Sequence, residues 1–269
     1  PSRYWDLYDR DTLPLAENSF LPINAPVMAV NTAREIRGYT DFKQMAQPHQ
    51  GTLPEAQARL LKHGYLASVS YIDAQVGRLL DALKQQNLDK NTIVVVWGDH
   101  GWKLGEHNSW CKMTNFEIDT RVPLIIRAPN AKENGKSCNR LIEFVDLYPS
   151  LCELAGIPLR DELEGQSFVP LLSDRTLPWK AAVFSQFLRE GIWVAPDGIT
   201  YMGRAIRTQR HRYVEWKKQG SVTVVASELY DLKTDPQENH NIAGLPENNE
   251  LVAALANQLE AGWKAARPQ

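Results

Sequence analysis

Asp99 and His100 stand side by side at the end of an apolar run, Thr92 to Trp97, with Gly98 before them and Gly101 after. One carboxylate and one imidazole make half of a metal site. By residue type alone, zinc or manganese suits the pair at least as well as calcium, which prefers oxygen donors. A strand end followed by a polar turn is the plain alternative. Glu106 and His107 follow in the same loop. By type they could be ligands or acid–base groups, but Gly105 to Asn108 reads more simply as a loop shaped by hydrogen bonds. Arg121, just before Val122 and Pro123, reads as one side of a structural ion pair.

These residues need elements to carry them. The run at 92–97 is β-branched and aromatic without polar alternation, the pattern of a strand buried on both faces of a parallel sheet. In open α/β sheets ligands bind beyond the carboxyl ends of such strands. A second apolar strand is expected at Val122–Ile126. Upstream, Pro54 opens a helix whose Tyr65, Val69, Ile72, Val76, Leu79 and Leu83 share one face and which ends near Gln86. Another helix follows Asp146, with Pro149 in its first turn and Gly156 at its end. Strand, loop, strand and helix alternate over 54–156, so the fold class is α/β. Residues 1–53 read as a proline-punctuated meander with short helical turns, such as 41–46.

The pattern changes near residue 172. Short strands are expected at Ala182–Phe187, Ile206–Trp216 and Val222–Tyr230. A last helix places Leu251, Leu255, Leu259 and Trp263 on one face. The expected division is therefore 1–171, and 172–269 as a small α+β subdomain.

Composition narrows the function classes. Hydrophobic residues make up 43% and charged ones 23%, with a net charge of −2. No basic excess points to nucleic acid, and no apolar run approaches the ~18 residues that span a bilayer. Three cysteines are too few for a disulfide framework. The basic cluster Arg204, Arg207, Arg210, His211, Arg212, Lys217 and Lys218 reads as a solvated face more readily than as a polyanion site.

The stretch from Gly98 to Ile125, with its D-H-G, W-C-K and R-V-P-L-I segments, resembles the second half of a sulfatase active site, most closely in the iduronate-2-sulfatase branch. Residues 65–80, 145–156, 163–167 and 228–242 resemble the family's long helix, its next motifs and its C-terminal signature, in order. The resemblance implies an alkaline-phosphatase-like sulfatase fold. It implies Asp99 and His100 as Ca2+ ligands and Lys112 as the catalytic residue that contacts the sulfate and supports the leaving oxygen. It makes Trp102, His107 and Trp110 candidates for a sulfated-sugar pocket, since aromatic faces suit carbohydrate stacking. The expected function is sulfuric ester hydrolysis on a uronic acid or related sugar. The rival readings are a phosphatase or phosphodiesterase of the same superfold, a non-enzymatic remnant, or one chain of a split enzyme. A periplasmic, secreted or lysosomal setting is compatible with the family, and the sequence itself names no compartment.

One departure outweighs any single match. Sulfatases carry a C/S-x-P-S/A-R motif whose first residue becomes formylglycine. The surroundings of Cys111, Cys138 and Cys152 do not fit it. Pro1-Ser2-Arg3 imitates only its tail, and the segment that follows resembles family sequence well downstream of the nucleophile. The family's early Asp-Asp pair and its upstream Lys and His are missing as well. The expectation is a C-terminal sulfatase portion carrying half an active site, inactive alone. The N-terminal portion, on the same or a separate chain, should supply the nucleophile and cover apolar strand faces left bare here.

Overall fold

The computed structural model describes residues 1–190 and 199–268. Residues 1–53 carry only α1 (Ser2–Trp5), α2 (Arg34–Arg37) and isolated helical turns, as their prolines dictate. The helix α3 (Glu55–Gln85) has Pro54 as its cap and stops at Gln86. Asn87 then takes a left-handed φ of 56°.

After α3 come β1 (Val94–Trp97), the hairpin strands β2 (Lys103–Leu104) and β3 (Trp110–Cys111), α4 (Glu117–Thr120), β4 (Leu124–Arg127) and α5 (Leu147–Leu154). Here the structure corrects the reading of β1. Among the described residues β1 pairs only with β4, and antiparallel, Trp97 lying opposite Leu124. A parallel neighbour would need a crossover from another strand, and no described strand supplies one. The apolar ribbon is also bare in part, as expected of strands whose cover is not among these residues: Trp97 is 49% exposed and Ile125 63%. The apolar stripe of α3 is also open, with Leu79 68% exposed, while Ala58, His63 and Ala67 make its buried contacts.

The C-terminal part is packed differently. A four-stranded antiparallel meander runs through β5 (Ala182–Arg189), β6 (Tyr201–Thr208), β7 (His211–Lys218) and β8 (Val224–Asp231). The expected strand Ile206–Trp216 is in fact two strands joined by a tight turn at Gln209 and Arg210. Helix α6 (Asn249–Ala265) covers one face, where Leu255 and Leu259 meet Ile206, Tyr213 and Leu229. On the other face Tyr201, Ala205, Val214 and Trp216 pack on Met28. Gly203 is required there, because a Cβ would lie 2.6 Å from the Trp216 ring.

Buried ion pairs tie the parts together. Arg212 bridges Glu238 and Glu117, joining β7 to the C-terminal turn and to α4. Lys180 binds Asp146 and Glu143. The basic cluster is thus neither a free polyanion surface nor a plain solvated face: Arg204, Arg207, Arg210 and Lys217 also pair with carboxylates, namely Glu260, Glu117, Asp231 and Glu215.

Candidate active site

β1 delivers the chain to Gly98, whose N–H donates to the Pro123 carbonyl at 3.1 Å. Asp99 then projects into solvent with its side chain 84% exposed, and His100 is partly covered. Gly101 is fixed by close approach. Its N–H donates to the Asp119 carbonyl, and a Cβ there would sit 1.8 Å from the Ile118 carbonyl oxygen. Only glycine allows the chain to turn back under α4 at this point.

The return of Lys112 follows from the hairpin register. Lys103 pairs with Cys111 and Leu104 with Trp110. One step out from each strand, Trp102 therefore faces Lys112. The Lys112 ammonium lies 5.0 Å from the centroid of the Trp102 indole. The His100 ring stacks on the same indole at 6.0 Å, and Tyr65 of α3 stacks on it at 6.5 Å. His100 and Lys112 are thus brought against one aromatic side chain, and Asp99 stands beside His100. The Lys112 ammonium also forms an ion pair with Glu35 of α2.

This loop is strained. His107, Asn108, Cys111 and Met113 all have φ between 51° and 86°, a region that L side chains seldom adopt. Such clusters persist where the surroundings over-determine the backbone, and they concentrate at functional sites. The surroundings here are the buried Lys103, which donates to Thr114 Oγ1 at 2.7 Å and pairs with Asp119, and the Asp119 carboxylate, which accepts the Thr114 N–H at 2.8 Å. Burial lowers the Lys103 pKa, and Asp119 works against that shift.

The other two candidates sit elsewhere. His107 does not line a pocket: it is 1% exposed, packs on Phe116 and donates from Nε2 to the Gln237 carbonyl at 2.8 Å. It pins the loop to the C-terminal turn, and burial drives its pKa down to about 4. Trp110 is buried among Ala33, Ile36, Phe42 and Met45. It forms one wall of a cavity of about 220 Å³ next to Lys112, with residues 31–35 and 187–190 on other sides. Arg121 pairs with Glu117 at 3.7 Å, as its structural reading expected.

Two side chains at the site escaped the sequence reading, Glu35 and Asn31. Asn31 donates to the Lys112 carbonyl, and its Oδ1 accepts the Ala33 N–H. The available signal was weak: an Asn two residues before a short helix start, in a stretch without periodicity.

The donor chemistry of Asp99 and His100 fits part of a cation's shell. The His100 Nδ1–H donates to the Gly101 carbonyl at 2.9 Å, so the Nε2 lone pair is free, and it lies 3.4 Å from Asp99 Oδ2. Two ligands at right angles on one ion, with bonds of ~2.4 Å, would be about 3.4 Å apart. Among the described residues no group of three or more His, Cys, Asp or Glu side chains could hold a metal ion. The pair alone offers two donors, fewer than a cation's shell takes.

Comparison with known proteins places this geometry in a family. Residues 105–265 match the family model described as N-sulphoglucosamine sulphohydrolase, C-terminal, and residues 36–157 match the model described as Sulfatase. The chain belongs to the sulfatase family. It is 29% identical to iduronate 2-sulfatase of Mus musculus over 95% of its own length and 57% of that protein's. The structure of BT4656 in complex with D-glucosamine-2-N,6-O-disulfate superposes with a TM-score of 0.69 at 29% identity, over 78% of this chain and 42% of that one. The phosphonate monoester hydrolase of Silicibacter pomeroyi matches over 99% of this chain and 53% of its own, at 24% identity and a TM-score of 0.78, which speaks for the fold alone. The architecture is that of the alkaline-phosphatase-like sulfatases, and the chain spans about half the length of the relatives it matches.

Proposed function

We propose that the protein carrying this chain hydrolyses a sulfate ester on a uronic acid or related sugar, and that this chain contributes one side of the active site. The observation that carries the reading is that His100, with Asp99 beside it, and Lys112 meet on the ring of Trp102. Likeness to iduronate 2-sulfatase along nearly the whole chain supports the substrate class.

In this reading Asp99 and His100 Nε2 hold a calcium ion together with donors from outside the chain. When bound, the ion would neutralise the sulfate oxygens. Lys112 places a positive charge where the leaving oxygen gains negative charge, and a fixed ammonium is worth most in a site sheltered from water. Trp102, with His100 and Tyr65 stacked on its indole and the Lys112 ammonium over it, positions these groups relative to one another. The nucleophile is not one of the cysteines seen here. Cys111 is buried with its thiol pushed up to about 12, and neither Cys138 nor Cys152 stands in the family motif. In this reading residues 1–269 do not supply the formylglycine that the family resemblance implies, and this chain alone turns over no substrate.

The test is kinetic. In the full-length protein Lys112→Ala should lower kcat/KM for an aryl sulfate and for a uronic acid 2-sulfate by roughly 10²-fold or more. A full-length protein that prefers phosphonate or phosphate monoesters to sulfate esters would overturn the reading, as would turnover by the isolated chain.

A further inference from the structure

Lys112 already has an anion. Its ammonium pairs with Glu35, and the chain fixes both ends of that pair. Asn31 clamps the Lys112 carbonyl and accepts the Ala33 N–H at 2.6 Å. Ala33, with φ of 53°, starts α2, which presents Glu35 in its first turn. Lys112 itself stands between two left-handed residues, Cys111 and Met113. The cavity beside the pair is also lined by the charged residues Arg34, Arg189 and Glu190. Burial raises the Tyr39 phenol, with Cys111 and Glu35 adding to it, and burial followed by Glu35 raises the Cys111 thiol.

The pair differs from its neighbour in the same loop. Lys103 and Asp119 are 0% and 3% exposed, and Asp119 has Thr114 as a further donor. Lys112 and Glu35 are 20% and 28% exposed. Glu35 Oε2, like Asp119 Oδ1, is buried with no hydrogen-bond partner among the described residues, so the difference between the two pairs is their exposure. A half-satisfied carboxylate gains hydrogen bonds by swinging out to water. Lys112 and Glu35 also belong to the lining of the 220 Å³ cavity.

We propose that Glu35 is a positioning residue, the resident counter-ion of Lys112, which holds the ammonium charged above Trp102 and yields it to the sulfate group of the substrate. The second half rests on the reading of Lys112 as the sulfate contact. A partly buried lysine without a counter-anion shifts toward the neutral amine, which cannot stabilise developing negative charge. Glu35 supplies that counter-anion while the site is empty. The sulfate replaces one anion by another, so the site never holds an unbalanced ammonium.

The experiment is competitive acylation of lysines in the full-length protein, read by mass spectrometry of the Lys112 peptide, with exposed Lys90 as internal reference. Glu35→Gln should raise the Lys112 labelling rate at pH 8 several-fold, up to the roughly tenfold that one pKa unit gives, and leave Lys90 unchanged. Glu35→Asp should restore a rate near wild type, and Glu35→Ala gives the same contrast if the amide disturbs the short helix. Inorganic sulfate should protect Lys112 at lower concentration in Glu35→Gln than in wild type, because the competing carboxylate is gone. Equal labelling of wild type and Glu35→Gln overturns the counter-ion role and leaves the sulfate reading standing if sulfate still protects. Faster labelling of Glu35→Gln with no sulfate protection in either protein keeps the counter-ion role and overturns both the exchange and the sulfate reading of Lys112.

Discussion

The sheet β5–β8, with many charged residues, and the almost wholly apolar ribbon β1/β4 end in environments opposite to what composition alone would give. The sheet has α6 on one face and Met28 with its neighbours on the other, and Trp216, Leu229 and Tyr230 at its centre are fully buried. The ribbon and the stripe of α3 leave Trp97, Ile125, Ile72 and Leu79 open. Apolar spacing says that a face wants cover, not where the cover comes from. In the C-terminal part the cover is local in sequence. In the region that carries the site it is absent from the described residues, and polar pins hold the loop instead. Lys103–Asp119–Thr114 braces the hairpin, and His107 ties it to Gln237. Asn31 holds the far end at Lys112.

Removing a pin is the hardest test of this contrast. Asp119→Ala would strand the fully buried Lys103 without its counter-ion and take the acceptor from Thr114. Loss of one partner of a buried pair costs about 3–5 kcal/mol, so urea denaturation should show the site region unfolding first and well below the wild-type midpoint. A loss under about 1 kcal/mol would mean that packing, not the pins, holds the loop. Gly101→Ala should act on the same loop by driving a methyl group into the Ile118 carbonyl.

In the C-terminal part the largest losses should come from apolar truncation instead. Leu259→Ala, at 2% exposure between α6 and the sheet, should cost about 2–5 kcal/mol. A cost below about 1 kcal/mol would show that α6 is a loose cover.

Acid should release the pin at His107. Above pH 6.5 its ring is neutral folded or unfolded and contributes no pH dependence. Between 6.5 and its folded value of about 4, the unfolded chain takes up a proton that the native state refuses. Stability therefore falls as pH falls through that window, by up to about 3 kcal/mol. His107→Asn should flatten the fall between pH 6.5 and 4, as followed by thermal unfolding. An unchanged slope would mean that the protonated ring finds room.

Much of this was legible in the sequence. The D-H-G turn and the amphipathic α6 follow from local pattern and family resemblance. Two things were not. The β6–β7 turn at Gln209 and Arg210 has no glycine or proline to mark it, so its two strands read as one. Glu35 and Asn31 reach the site across some eighty residues, and a contact of that range leaves no trace in spacing. His107 misleads for the same reason: its carbonyl partner lies 130 residues away, so a polar residue in a loop proves to be core.

The smallest expected effect sharpens the contrast most. Leu79 lies on the open stripe of α3 and Ile125 on the open face of β4. In the isolated chain, truncating either to Ala removes almost no buried area, so each change should stay within about 0.5 kcal/mol. If sequence outside residues 1–269 covers these faces in the full-length protein, the same truncations become core substitutions there and should cost about 2–5 kcal/mol. The informative quantity is the difference between the two backgrounds for one substitution, because intrinsic helix or strand propensity cancels. A large cost in the full-length protein with none in the chain would locate the missing layer on α3 and the ribbon. Equal small costs in both would show that the faces stay open, and that the site region depends on its polar pins alone.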